Sequence, residues 1–266
     1  MSTGRRPPRF GEEDRQLSYG SYLQVPEVLS AQRLLSDPPA HDELLFIIVH
    51  QAYELWFKEL AFELETIRDL IFKGEIAGAR HYLERCHRIE RVLIEQVSVI
   101  ESMSPQDFLE FRTNLAPASG FQSVQFREIE FLSGLKDERY LARLTPTKEE
   151  AERLRRRLDE PTLWDAFCAL LDSRDLPMPA DDPDIRKESL VAMARDRDSF
   201  GDVFFLSEAL VDHDELFALW RHRHVLMVER QIGTKSGTGG STGAPYLRTT
   251  LEKRFYPELW DLRSYL

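Results

Sequence analysis

The stretch "HDELLFIIVHQAYELWFKELAFELETIRDLIF", His41 to Phe72, contains no proline and no glycine, and its apolar residues recur with a period near 3.6. It predicts a single long helix. Gly74 and Gly78 punctuate, and a second long helix is expected from about Ala79 to Met103. Upstream, "PEVLSAQRLLS" (Pro26 to Ser36) has apolar residues three and four apart and reads as a further helix. Downstream, "SPQD" at Ser104 to Asp107 is a helix start: a serine cap, a proline at the first position and a carboxylate facing free amides. That helix, "QDFLEFRTNL", stops near Pro117, and "PASGFQSVQFREIEFLSGL" turns into another. "TKEE" at Thr147 to Glu150 is a second capping box. No run of alternating β-branched residues and no Asn-Gly or Asp-Gly turn occurs, so the fold class is all-α.

Length and composition narrow the role. The chain has 266 residues, 42% hydrophobic and 30% charged, the balance of an ordinary globular protein. Residues 1–16 read as a flexible N-terminal segment and 17–266 as one helical domain. Within it, 137–200 is denser in charge and proline and reads as an excursion of short helices on the main bundle. Net charge is 35 minus 46, or −11, which repels nucleic acid and anionic membrane. The basic run "RLRRRL" (Arg153 to Leu158) has acidic flanks and reads as a solvated helix face. "LLFIIVH" (Leu44 to His50) is too short to span a bilayer, and the first residues lack the apolar core of a signal peptide. A cytoplasmic protein is expected.

Two cysteines, Cys86 and Cys168, make neither a disulfide framework nor a four-sulfur zinc site. "ERCH" at Glu84 to His87 supplies only one of the two Glu-x-x-His pairs that a di-iron bundle needs. His222 and His224 sit two apart, about 200° around a helix axis, so they cannot grip one ion together. A single haem ligand is a different matter, since it needs one imidazole in an apolar slot. His224 shares its helix face with Phe217, Trp220, Met227 and Val228; that setting allows an iron ligand, though periodicity alone favours a core histidine bonded to a carbonyl. His50 lies in a stripe with Phe46, Ile47, Tyr53 and Phe57, with Glu54 four residues on, and carries the same two readings. The loop "GTKSGTGGSTG" (Gly233 to Gly243) meets neither phosphate-binding glycine motif. It reads either as a lid with Thr238 among its donors or as an unstructured surface loop.

Six separated stretches, in order, complete the reading. "LSYGSYL" (Leu17 to Leu23), "LSAQ" (Leu29 to Gln32), "HDELLFIIVHQAYELWFKEL" (His41 to Leu60), "SPQDFLEFRTNLAPASGFQSVQFREIEFL" (Ser104 to Leu132), "LWRHRHVLMVER" (Leu219 to Arg230) and "GTGGSTGAPYL" (Gly237 to Leu247) resemble the tryptophan 2,3-dioxygenase family. The resemblance covers most of the chain outside 137–200. It implies an all-helical, homotetrameric enzyme with a haem pocket between long helices and one non-covalent haem b per subunit. His224 is then the axial iron ligand and His50 the distal histidine that meets the indole nitrogen. Arg112 clamps the substrate carboxylate and Thr238 holds the amino-acid end. Tyr19, Tyr22, Phe46, Ile47, Ile48, Val49, Phe108 and Leu115 belong to the substrate pocket, the tyrosines reaching in from a neighbouring subunit. The implied reaction opens the indole 2,3 bond of L-tryptophan with O₂, giving N-formyl-L-kynurenine. One alternative, a haem monooxygenase adding one oxygen to tryptophan or a methylated tryptophan, shares the same key residues; another, a non-catalytic haem or tryptophan sensor, is opposed by the complete set of His50, Arg112 and Thr238.

Overall fold

The computed structural model describes residues 17–143 and 147–266, and among them it contains helices and no strand. The expected N-terminal segment 1–16 lies outside the described residues. In chain order the helices are α1 (Tyr19–Leu23), α2 (Val25–Leu29), α3 (Glu43–Phe72), α4 (Ile76–Ile100), α5 (Pro105–Phe111), α6 (Val124–Ser133) and α7 (Arg139–Arg143). There follow α8 (Lys148–Asp159), α9 (Leu163–Asp172), α10 (Pro183–Arg195), α11 (Arg197–Ile232), α12 (Ala244–Arg248) and α13 (Pro257–Leu262). Three long helices make the frame. At a rise of about 1.5 Å per residue, α3 with its 30 residues is about 45 Å long.

Helix α4 packs along both α3 and α11, whereas α3 and α11 approach each other closely at almost no backbone position. The turn between α3 and α4 is made by Gly74, whose φ of 73° is left-handed. Gly78, read above as punctuation, lies inside the first turn of α4, which therefore begins and ends about three residues earlier than the periodicity suggested. Leu60, Leu64, Ile67 and Ile71 of α3 are completely buried against Leu83 and Cys86 of α4 and Leu206 and Leu210 of α11. Each such side chain contributes about 1.5–3 kcal/mol by leaving water. The segment 137–200 is part of this arrangement: Leu163, Phe167 and Leu171 of α9 and Leu190 and Met193 of α10 join the same core.

The structure corrects the sequence reading twice. The helix expected over Pro26–Ser36 stops at Leu29, and residues 31–36 run as irregular chain. The reason is a competing partner. The buried Glu43 carboxylate takes the backbone amides of Leu35 at 2.7 Å and Ser36 at 3.0 Å, together with the Ser36 hydroxyl. Burial alone would raise the Glu43 pKa, but these bonds outweigh it and hold the carboxyl below its usual range. The "RLRRRL" face is likewise not all solvated. Arg157 is buried, and its guanidinium donates to Glu128 at 3.3 Å, to Glu160 at 2.9 Å and to Glu65.

Buried polar groups tie the C-terminal part to the frame. His213 of α11 is wholly buried between Glu90 of α4, 2.5 Å from its Nδ1, and Ser133 of α6, 2.9 Å from its Nε2. Next to it, one oxygen of the buried Asp214 accepts from the Phe255 amide (2.8 Å), the Tyr256 amide (3.0 Å) and Trp260 Nε1 (2.9 Å). An unmet buried donor costs about 1–3 kcal/mol. Asp214→Ala is therefore expected to lower unfolding stability by at least about 3 kcal/mol in a urea titration; a loss below about 1 kcal/mol would mean the segment is held by packing alone.

Candidate active site

Helix α3 delivers the first histidine. His50 Nδ1 lies 2.7 Å from the carbonyl oxygen of Phe46, one turn back, and a carbonyl can only accept, so the proton sits on Nδ1. Nε2 is left as a lone-pair acceptor. Burial lowers the pKa of this ring against the smaller opposing pulls of the Phe46 carbonyl and Glu54, so the ring is neutral near pH 7. Phe46 covers it, the two centroids 4.1 Å apart. Phe108 stacks on Phe46 at 5.7 Å and Phe111 meets both edge-on. Those two phenylalanines come from α5, whose start is fixed by the capping box of Ser104 and Asp107. Leu115, on the 3₁₀ turn Arg112–Leu115 that continues α5, packs into the same apolar cluster, as does Met227 of α11.

Helix α11 delivers the second. His224 is stacked on Trp220, one turn back, at 5.0 Å and an interplanar angle of 8°. Burial brings its pKa down to about 4, helped by the nearby His50, so the two rings are close enough for a charge on one to be felt by the other. Among the described residues nothing hydrogen-bonds to the His224 ring. This removes the reading of a core histidine bonded to a carbonyl. His222, two residues back, is exposed on the opposite side. Trp220 bridges the two long helices through edge contacts with Tyr53 at 6.2 Å and Phe57 at 6.5 Å. Tyr53 is anchored by its hydroxyl to the Leu93 carbonyl of α4 at 2.8 Å, and burial pushes its pKa up to about 12.

Polar groups gather at the other end. The loop 233–243 is folded, with Gly237 N donating to Ser241 O at 3.0 Å and Gly240 N to Gly237 O at 3.2 Å. It lies on the segment after α5. Arg112 donates to the Ser236 carbonyl, and the Thr238 hydroxyl donates to the Ala118 carbonyl at 2.7 Å. The reading as an unstructured surface loop is thereby replaced by a docked one.

Not every residue expected in the pocket gathers there. Phe46, His50, Phe108 and Leu115 come together, with Arg112 and Thr238 flanking the same segment. Between Phe46 and His50 the helix turns by 100° per residue. Accordingly Ile48 is exposed on the outer face, Ile47 is half-buried, and Val49 is buried among Ile100, Met103 and Phe111. Tyr19 and Tyr22 stand on α1 with exposures of 79% and 71%. Phe111, Ala118, Ser119 and Ser236 were not singled out in the sequence. Phe111 had a detectable signal, three residues after Phe108 on the same helix; the others contribute backbone or close contact, which residue type does not advertise. An open groove of about 610 Å³ between α3, α6 and α8 lies elsewhere and is lined by charges such as Arg153, Arg157, Glu65 and Glu128 that pair with one another.

Comparison with known proteins is consistent along the whole chain. The family model described as tryptophan 2,3-dioxygenase matches residues 8–176 and 184–266. The chain belongs to this family. It is 58% identical over 262 residues to the tryptophan 2,3-dioxygenase of Nocardioides sp., covering 97% of both chains. It is similar also to the tryptophan 2,3-dioxygenases of Herpetosiphon aurantiacus (43%, covering 93% of this chain and 98% of the relative) and Caulobacter vibrioides (40%, covering 95% and 99%). Members of the tryptophan 2,3-dioxygenase family are expected to use haem, and the residues here fit that group. Among the described residues a neutral imidazole with no hydrogen-bond partner is stacked on Trp220, on a helix that packs along α4 as does the helix bearing a second neutral imidazole.

Proposed function

We propose that this protein opens the indole ring of L-tryptophan with O₂, keeping both oxygen atoms and releasing N-formyl-L-kynurenine. The observation that carries the reading is the pair of neutral, half-buried imidazoles on α3 and α11 beside a segment that presents Arg112 and Thr238. His224 would hold a non-covalent haem b through its free ring nitrogen, and haem bound there supplies the activation of O₂. The remaining work falls to side chains.

His50 Nε2 accepts a hydrogen bond from the indole N–H, because its other nitrogen is committed to Phe46. Phe46, Phe108 and Leu115 cover the ring and exclude water. Arg112 binds the carboxylate, a charge-assisted bond strengthened in a dry site. Thr238 complements it: its proton is spent on Ala118, so its oxygen is free to accept from the substrate ammonium. A zwitterion is thus read at both charges.

Tyr19 and Tyr22 complete the pocket of a neighbouring subunit in a homotetramer. The support is that both rings are largely exposed, while Leu44, Ile48 and Leu55 leave an exposed apolar stripe on α3. Among the described residues no helix is long and apolar enough to cross a membrane, and a cytoplasmic place is part of the same reading.

Three measurements test this. Haem-loaded, reduced protein mixed with L-tryptophan and ¹⁸O₂ is expected to give a ring-opened product carrying two labelled atoms; one labelled atom on an intact or oxindole ring would make the protein a monooxygenase, and bound haem without any turnover a sensor. His224→Ala is expected to purify without stoichiometric haem while His222→Ala keeps it, read from the haem absorbance per chain; the reverse result moves the ligand. Arg112→Ala is expected to raise the KM for tryptophan at least roughly tenfold, the loss of a hydrogen bond to a charged group, and an unchanged KM removes Arg112 from the site.

A further inference from the structure

The glycines of the loop 233–243 have different reasons to be glycine. Gly240 and Gly243 adopt φ of 79° and 73°, which only glycine takes without strain. Gly239 does not: its backbone would accept any residue. What forbids a side chain there is another residue. A Cβ built on Gly239 would lie 2.5 Å from the Cβ of Ser119 and 3.1 Å from its hydroxyl, with the Pro117 carbonyl at 3.7 Å. The backbone of the loop therefore rests directly on Ser119.

This contact sits in register with two others. Ser236 O meets Arg112, and Thr238 Oγ1 meets Ala118 O, one residue before the Gly239–Ser119 contact. We propose that the Ser119–Gly239 contact is a steric gauge that sets how closely the loop docks over the site, with Ser119 a positioning residue that places Thr238 to read the ammonium group of the substrate. This rests on the reading above that the site takes an amino acid. Relieving a 2.5 Å carbon–carbon contact to ordinary packing at about 3.5–4.0 Å moves the loop by at least about 1 Å. A shift of that size takes a bond such as Thr238–Ala118, at 2.7 Å, beyond hydrogen-bond range. The indole end, built on α3 and α5, is left in place.

The test uses the haem-loaded protein and the variants Gly239→Ala, Ser119→Gly and the two combined. Gly239→Ala is expected to raise the KM for L-tryptophan about tenfold or more at unchanged haem content. Its spectroscopic preference for tryptophan over indole-3-propionate, which lacks the ammonium, is expected to fall in step. Adding Ser119→Gly removes the clashing atom and is expected to restore both, whereas adding Ser119→Ala keeps that Cβ and restores neither. An unchanged KM in Gly239→Ala, or rescue by Ser119→Ala as well as by Ser119→Gly, overturns the gauge. If Gly239→Ala does not load haem, Ser119→Val must produce the same tryptophan-selective loss from the other side of the contact, or the proposal falls. Trypsin cleavage at Lys235 separates this from the functional reading: Gly239→Ala is expected to accelerate it and Ser119→Gly to reverse that, whether or not the protein turns over tryptophan. No acceleration overturns the gauge; no turnover by the unaltered protein overturns the function.

Discussion

Helix α4 keeps α3 and α11 apart, and the site depends on that separation. Two helices bearing apolar stripes ordinarily close on each other, because each square ångström of apolar surface removed from water stabilises by about 25 cal/mol. Here the completely buried residues of α4 occupy the space between them, so α3 and α11 bury their stripes against a third helix instead. Near His50 and His224 aromatic side chains bridge the gap, with Tyr53 and Phe57 on one side and Trp220 on the other. Tyr53 is itself pinned to α4 through the Leu93 carbonyl. The spacer thus orients the ring that meets Trp220 from the other helix.

The chemistry divides along the same line. Both imidazoles lie on long helices, where desolvation holds them neutral and leaves a lone pair on each. The charged and hydroxyl groups lie on chain that is not long helix: Arg112 on a 3₁₀ turn and Thr238 in a glycine-rich loop. A guanidinium deep among phenylalanines would carry a desolvation penalty without its anion; Arg112 instead donates to the Ser236 carbonyl, where the proposed site would present it to a carboxylate. The apolar cluster is therefore built on helices, and the polar groups are brought together by two segments that touch.

The buried polar groups away from the site serve the frame. Glu90, Ser133 and His213 join α4, α6 and α11, and Asp214 draws in the C-terminal segment. Each bond is satisfied only at one mutual placement of its elements. Such groups fix the position of α11 along its axis more sharply than apolar contact does, and His224 lies about three turns further along that helix.

The uninterrupted period of 3.6 from His41 to Phe72 and the caps at Ser104 and Thr147 determined the helices, since these are local properties of neighbouring residues. The order of the motifs was enough to mark the family, and a 200° separation already ruled that His222 and His224 could not bind one ion together. Periodicity could not choose between those two histidines, because both faces of that helix carry apolar residues; the resemblance pointed to His224, and the packing of α11 leaves His222 exposed and His224 half-buried with no ring hydrogen bond among the described residues. Nor could the sequence show that Glu43 would capture the amides of Leu35 and Ser36 and end the helix before them, or that Arg157 would be buried. In both cases the partner is distant along the chain or the bond goes to backbone, which is the same in every residue. The glycine at 239 is the clearest instance: composition marks it as flexible, and only the tertiary structure decides that it is glycine because Ser119 is already there.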